Sequence, residues 1–251
     1  MALTVVPIDE RPDLEPMLWD FDNLWPVFLQ QDPISNLYYN RVSEDFVEFS
    51  MIAFDDAEPE RPVARSFAVP FVLGEEVGRP VLPEDGWDGV IRWGWHDHAL
   101  GRTPTHVSAL EIAIRPDMRG AGLAPVMLAA MRDNVKRLGF DDLYAPVRPS
   151  QKTKEPHTPM SEYAWRTRDD GLPYDPWLRV HVRAGGELLS VCPRAMTIAG
   201  SLAEWRDWTG QPFDITGDIE VPGALNPVHC SVEHDHAVYT EPRVWVHHRL
   251  G

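Results

Sequence analysis

Residues 107–147 decide the fold, and their sequence is VSALEIAIRPDMRGAGLAPVMLAAMRDNVKRLGFDDLYAPV. Residues 107–114 have the length and the alternation of apolar side chains that predict a β-strand. Apolar residues then recur at helical spacing over 125–138, with a proline in the first turn and Gly139 at the end, which predicts a helix. Residues 140–147 predict a second strand. Strand, glycine turn, helix and strand in this order form a right-handed crossover between parallel strands, so the stretch predicts an α/β fold.

The turn between the first strand and the helix has the sequence RGAGLA over 119–124. The first amides of a helix lack partners in the chain, and the aligned peptide dipoles add partial positive charge there. Gly120 and Gly122 permit a tight turn and let a ligand approach the backbone. The turn therefore predicts an anion site suited to a pyrophosphate, with a compact turn that binds nothing as the alternative. A Rossmann site fits less well because G-x-G-x-x-G is incomplete, and a P-loop is excluded because no Gly-Lys-Ser/Thr follows.

On these residues the chain resembles the GNAT superfamily of acyl-CoA-dependent N-acetyltransferases. The family signature, Q/R-x-x-G-x-G/A between the fourth strand and the third helix, matches Arg119, Gly122 and Ala124. The resemblance implies a mixed, splayed β-sheet flanked by helices, with acetyl-CoA as the acyl donor in the gap between the fourth and fifth strands. It implies that the donor binds to the backbone at two places, the pyrophosphate at Arg119, Gly120, Ala121, Gly122, Leu123 and Ala124, and the pantetheine arm at Ile112, Ala113 and Ile114.

We expect one GNAT-like domain over 1–251, with its core motif over about 107–199 and elaborations at both ends. Further strands are predicted over 63–73, 187–192, 196–199 and around 244–246, and helices in pieces over 14–50 and over 87–99, 175–184 and 202–208. Residues 150–174 are polar and weakly periodic, and they follow the predicted fifth strand. They would lie over the splay, so we predict a lid that binds the acceptor, with a solvated loop as the alternative.

Amine acetylation needs a proton for the departing thiolate. In many GNAT enzymes a tyrosine four residues before the glycine that ends the fourth helix supplies it. Gly185 ends the corresponding helix here, and His181 stands at that position. A histidine can donate a proton near neutral pH, so His181 is the first candidate for the proton donor, and a packed or solvated histidine is the alternative. Tyr163, in the predicted lid, is the second candidate.

Two residues of the fourth strand compete as the general base. Glu111 is the ionisable side chain of that strand, but alternation puts it on the face opposite to Ser108, Leu110 and Ile112. Ser108 stands where some family members carry a catalytic glutamate, and its hydroxyl could hold a water or orient the amine. A water relay without a single base is the third possibility.

The amino-acid composition indicates which kinds of ligand and partner the protein can bind. The 251 residues include 39 Asp and Glu against 23 Lys and Arg, for a net charge of −16. An acidic chain repels nucleic acids and anionic membranes, and it favours a cationic acceptor. Membrane spans, signal peptides and disulfide frameworks have no counterpart in this sequence, so we expect a cytoplasmic protein, for which a homodimer is one possible assembly. The histidine clusters near 96–98, 229–236 and 247–248 lack the paired spacing of zinc sites, so no metal is expected.

These features predict a transferase that moves the acetyl group of acetyl-CoA to the amine of a small molecule by direct attack. One alternative is a GNAT fold that uses a longer acyl-CoA or a carrier-protein thioester. The other is a CoA-sensing module without catalysis. His181 in the tyrosine position and Ser108 in the glutamate position give that second alternative its support.

Overall fold

One mixed β-sheet organises the chain in the computed structural model, which describes residues 3–21 and 24–251. Its nine strands in these ranges are Leu3–Pro7 (β1), Ser50–Asp55 (β2), Pro62–Phe71 (β3), His106–Ile114 (β4), Asp142–Val147 (β5), Glu187–Gly200 (β6), Gly217–Ile219 (β7), Val228–Ser231 (β8) and His236–Arg249 (β9). The strand order is β1-β2-β3-β4-β5-β9-β8-β7, and β6 pairs with β9 on the side opposite to β5. The pair β4–β5 is parallel and the other pairs are antiparallel.

The α-helices of the described residues are Pro33–Tyr38 (α1), Val42–Asp45 (α2), Gly86–Ala99 (α3), Leu123–Arg137 (α4), Met160–Tyr163 (α5), Pro176–Arg183 (α6) and Leu202–Thr209 (α7). The four helices predicted over 87–99, 125–138, 175–184 and 202–208 correspond to α3, α4, α6 and α7. The pieces expected over 14–50 are mostly short 3-10 turns together with α1 and α2. The sequence did not predict β1 and β2, and the two strands expected over 187–199 are one strand, β6.

Side chains of β3 alternate between two helix layers. Ala64 packs with Leu123 and Met127 of α4. Val69, five positions along β3, lies against Gly94 of α3, where an added Cβ would collide with it. α3 therefore covers one face of the sheet, called the α3 face below. α4 covers the opposite face, called the α4 face, and α6 packs beside it.

β4 and β5 separate after two residue pairs, Val107 with Leu143 and Ser108 with Tyr144. Beyond these pairs β4 continues along β3 and β5 continues along β9, but the two strands no longer pair with each other. The splay predicted between the fourth and fifth strands is therefore confirmed. Because α4 follows β4, its first turn lies at the open end of this gap.

Candidate active site

The glycine turn connects β4 to α4 at the open end of the splay. Gly120 and Gly122 have φ angles of +86° and +78°, in the left-handed region that favours glycine. A Cβ on either residue would meet nothing within 4 Å, so backbone conformation, and not crowding, accounts for both glycines. Gly122 is the N-cap of α4, and no side chain caps the helix. The first amides of α4 thus remain available to an anion, and the exposed Arg119 lies beside them, an arrangement that suits a pyrophosphate.

The backbone of β4 presents alternate residues to the splay. The N–H of Arg115 donates to the carbonyl of Val63 on the β3 side at 3.0 Å. By the alternation of an antiparallel ladder, the backbone groups of Ala113 also face β3, whereas those of Ile112 and Ile114 face the splay. Ile112 and Ile114 can therefore pair with an extended ligand arm. The prediction for Ala113 is wrong in this respect, because its N–H and C=O point toward the neighbouring strand.

Ser108 lies at the closed end of the splay. It is the last residue of β4 that pairs with β5, it is fully buried, and its hydroxyl donates to the carbonyl of Ala109 at 3.2 Å. A bulge at Leu110 follows, since Glu111 pairs with Phe67 while Ala109 pairs with the next residue of β3. The bulge breaks the strict alternation expected along the whole strand. Ser108 therefore borders the splay at the point where β4 and β5 separate, and its role beside the base stays a prediction.

Glu111 forms a buried ion pair on the α3 face. Its Oε1 accepts from Arg65 Nε at 2.7 Å, and its Oε2 accepts from Trp25 Nε1 at 2.8 Å. Arg65 also lies over the ring of Trp19, with its guanidinium carbon 5.1 Å from the ring centroid. A proton on Glu111 would leave Arg65 buried without a counter-charge, which is costly. The prediction of Glu111 as a free general base is therefore corrected, because the carboxylate holds Arg65 and Trp25 in place.

His181 and His248 form a buried pair on the α4 face. Nδ1 of His181, on α6, is 2.9 Å from Nε2 of His248, on β9, and the two residues are 2% and 0% exposed. Burial lowers the pKa of His181 to about 3 and the pKa of His248 to about 4. Both rings are therefore neutral at pH 7, so the proton that His181 can donate is the N–H of a neutral imidazole. His181 Nε2 and His248 Nδ1 have no hydrogen-bond partner within the described ranges.

The insert over 150–174 is anchored in the protein core. Tyr163 is 1% exposed, and its hydroxyl donates to Asp175 Oδ2 at 3.0 Å. Burial raises the pKa of Tyr163 well above its ordinary value. Lys152 is fully buried as well, with its ammonium group donating to the carbonyl of Leu225 at 2.7 Å. These contacts contradict the prediction of Tyr163 as the second proton donor, because its hydroxyl is buried and bound to Asp175. The insert as an acceptor lid stays a prediction.

A buried charge cluster lies on the α3 face; its members are Asp32, Asp88, Arg148, Glu241 and Arg243. Glu241 accepts from Arg148 Nε and from Arg243 Nε, each at 2.9 Å. Burial opposes the ionisation of Glu241, yet the two guanidinium groups lower its pKa below the ordinary value. No sequence motif marks any member of this cluster, because the five residues come from elements that are distant in the chain.

Trp87 connects the charge cluster to the splay. Its indole Nε1 donates to the carbonyl of Leu110, in the bulge of β4, at 2.9 Å. The guanidinium carbon of Arg243 lies 5.4 Å from the centroid of the Trp87 ring. On the other side of the gap, Arg148 directly follows Val147, the last residue of β5. The cluster is therefore bordered by both of the strands that separate.

Residues 24–32 cross the α3 face from β4 to β9. Trp25 contacts Glu111 on β4, as described above, and Phe28 packs against Trp205 and Tyr239, with ring centroids 5.9 and 5.4 Å apart. Asp32, at the end of this segment, belongs to the charge cluster. The N-terminal elaboration, in which the sequence shows no motif, thus forms a wall of the site on the α3 face.

The described residues contain neither a metal-binding cluster nor a membrane-spanning helix. Among residues 3–21 and 24–251, no three His, Cys, Asp or Glu side chains are grouped so as to hold a metal ion. No helix in the same ranges has the length and apolar character to cross a membrane.

Comparisons with known proteins agree with this architecture. The chain is 32% identical to the arginine N-acetyltransferase avaD of Aspergillus versicolor over 271 aligned positions, which cover 96% of this chain and 91% of that protein. No protein-family model matches the chain.

Two solved structures share the fold at low sequence identity. The loading GNATL domain of CurA from Lyngbya majuscula has a TM-score of 0.57 at 16% identity, over 99% of this chain and 96% of that one. The GphF GNAT-like decarboxylase, in complex with isobutyryl-CoA, has a TM-score of 0.53 at 16% identity, over the whole of both chains. With the splayed sheet and the glycine turn, these relationships show that the chain belongs to the GNAT superfamily and is an N-acetyltransferase that acetylates the amine of a small molecule.

Proposed function

We propose that this enzyme acetylates the amine of a small molecule with a cationic side chain of the arginine type. The observation that carries the proposal is the 32% identity to an arginine N-acetyltransferase over 96% of the chain. The net charge of −16 supports it, because an acidic protein raises the local concentration of cations. The cytoplasmic location and the homodimer stay predictions.

In such an acceptor the amine is the nucleophile. A guanidinium group has a pKa above about 12 and keeps its proton, whereas an α-amine is less basic and loses its proton more readily. That proton must leave before the amine attacks. We propose that a water relay removes it, because Glu111 is engaged by Arg65 and Trp25.

Direct transfer, without an acyl-enzyme, is supported by the state of the two cysteines. Cys192 and Cys230 are both fully buried. Burial raises the pKa of the Cys192 thiol to about 12, and it also raises the pKa of the Cys230 thiol. The thiolate is the nucleophilic form of cysteine, so neither residue is prepared to accept an acetyl group.

We assign the return of a proton to the departing thiolate to His181 and His248. His181 Nε2–H gives its proton to the thiolate, and His181 Nδ1 takes a proton from His248 Nε2. His248 Nδ1 then takes the proton that the acetylated amine releases, by way of water. Both rings are neutral before and after this exchange, as their lowered pKa values require. Each ring ends with its proton on Nδ1, so proton exchange with water returns both rings to the Nε2–H form before the next turnover. The location of the pair on the α4 face, beneath the helix that begins at the glycine turn, supports the assignment.

The proposal is tested by thiol release from acetyl-CoA with a panel of amines. The panel contains arginine, lysine, citrulline and a primary amine that has no second cationic group. Mass spectrometry identifies the acetylated nitrogen. We expect the highest kcat/KM for arginine and acetylation at its α-amine. Turnover of uncharged amines alone would contradict the cationic acceptor, and turnover with longer acyl-CoA thioesters alone would contradict acetyl-CoA as the donor.

A further inference from the structure

Asp32 and Asp88 each carry one buried carboxylate oxygen without a partner. Asp32 Oδ2 accepts from the N–H of Ser35 at 2.6 Å, and Asp88 Oδ2 accepts from the N–H of Thr197 at 3.2 Å. The Oδ1 atoms of both residues are buried and have no hydrogen-bond partner in the part of the chain that the structure describes. The two residues are 0% and 6% exposed. A buried polar atom left without a partner destabilises the fold, so this arrangement suits a site that a ligand completes.

The arginines near Asp32 and Asp88 form ion pairs with another carboxylate. Arg148 and Arg243 both pair with Glu241, and Arg243 Nη2 also lies 2.9 Å from Met196 Sδ. No Lys, Arg or His side chain of the described ranges makes an ion pair with Asp32 or Asp88. Three carboxylates therefore share two guanidinium groups, and the cluster lacks one positive charge.

The protonation of the two aspartates reflects this shortage. Burial raises the pKa of Asp32 to about 6. Burial, together with repulsion from Asp32, raises the pKa of Asp88 to about 8. The charges that act on both residues from β9 are the positive charge of Arg243, which favours their ionisation, and the negative charge of Glu241, which opposes it. At pH 7 the ligand-free cluster thus holds a proton that a cation would displace.

We propose that Asp32 and Asp88 together bind the guanidinium group of the acceptor. The proposal rests on the proposed function, and it adds the residues that select the acceptor's cationic end. A guanidinium is a planar cation with five N–H donors, so it can reach two carboxylates at once and supply the missing charge. The cluster borders the splay through Trp87 and Arg148, so a guanidinium held there places the acceptor beside the gap between β4 and β5.

Arginine and citrulline test the proposal, because citrulline has a neutral ureido group in place of the guanidinium. Asp32→Asn and Asp88→Asn keep an acceptor oxygen for the amides of Ser35 and Thr197 and remove the charge. Each variant should lower kcat/KM for arginine about 10- to 100-fold, the range for hydrogen bonds between charged groups. Turnover of citrulline and the KM for acetyl-CoA should stay within about threefold of the wild-type values.

Asp207→Asn is the matched control, because it makes the same charge change at an exposed position of α7. It should leave the preference for arginine over citrulline unchanged. An equal loss with both acceptors in the Asp32 and Asp88 variants, or an unchanged preference for arginine, would overturn the proposal.

A measurement on the wild-type enzyme covers the case in which a variant does not fold. Calorimetry of arginine binding at pH 7, in two buffers of different ionisation enthalpy, should detect proton release from the two aspartates. Citrulline has the same α-amine and should release none, and equal proton release with both ligands would overturn the proposal. If the wild-type enzyme acetylates uncharged amines but not arginine, the proposed function fails. If it acetylates arginine and the two Asn variants keep their selectivity, only this inference fails.

Discussion

Replacing Gly122 with aspartate should separate donor binding from folding. Gly122 has a φ of +78° and nothing within 4 Å of an added Cβ. Asp and Asn tolerate the left-handed region better than other side chains, and both are good N-caps. Gly122→Asp should therefore fold, while it places a negative charge at the amides that we expect to hold the pyrophosphate.

Coulomb's law sets the size of the effect. Two unit charges about 5 Å apart repel by about 3 kcal/mol at an effective dielectric constant of 20, and by about 0.8 kcal/mol in water. Residues 119–122 are exposed, so salt and solvent reduce the larger value. We expect CoA affinity to fall about 10- to 100-fold, which corresponds to about 1.4–2.8 kcal/mol.

Two further variants isolate the charge. Gly122→Asn has nearly the same shape without the charge, and Gly139→Asp places the charge after the other end of α4, at a glycine with a φ of +90° and an equally open Cβ position. Calorimetry with CoA gives the affinity, and thermal unfolding confirms that each variant is folded. Gly122→Asn should lose much less affinity than Gly122→Asp, and Gly139→Asp should lose none. A folded Gly122→Asp variant that binds CoA as tightly as Gly122→Asn would refute the placement of the pyrophosphate.

Three other perturbations follow from the buried groups. His181 and His248 have pKa values below the value of about 6.5 in an unfolded chain, so their contribution to stability is complete above pH 6.5 and is lost as the pH falls toward 4. Each histidine should lower the free energy of unfolding by about 2 kcal/mol at pH 5. In urea unfolding, His181→Phe should therefore lose less stability between pH 7 and pH 5 than the wild type does. Glu111→Gln should destabilise the fold by about 3–5 kcal/mol because it leaves Arg65 unpaired, and Arg65→Leu combined with Glu111→Leu should recover part of the loss in the same unfolding assay. Tyr163→Phe should keep kcat within about twofold and lower the free energy of unfolding by about 1 kcal/mol, so a large loss of kcat would restore Tyr163 as a catalytic candidate.

Local sequence signals predicted the strand, turn and helix that we expect to hold the donor. The strand, glycine turn and helix over 107–147 lie within one crossover, and their periodicity, Pro125 and Gly139 act over a few residues. The splay depends on the same unit, since it begins where β4 and β5 stop pairing. The bulge at Leu110 was not predictable from alternation, because a single extra residue leaves the apolar pattern almost unchanged.

Long-range pairing explains what the sequence could not show. His181 contacts His248 across 67 positions, and Trp25 contacts Glu111 across 86. No periodicity or spacing records such a contact, so His181 could be selected by its place in the family pattern while its partner could not. The burial that makes the imidazole neutral arises from the same tertiary contacts, so the sequence alone does not reveal its protonation state.

The two substrates make opposite electrostatic demands, and the fold meets them on different parts of the sheet. Backbone amides at the start of α4, with Arg119 beside them, would bind the anion locally, so a net charge of −16 does not conflict with binding CoA. Carboxylates on the α3 face, contributed by the N-terminal segment and α3, would bind the cation. Because the donor contacts are backbone groups and the proposed acceptor contacts are side chains, substitutions at Asp32 and Asp88 can change the acceptor while the donor site stays intact. A GNAT enzyme of this architecture that lacks both carboxylates should therefore still bind acetyl-CoA and prefer an acceptor without a positive charge.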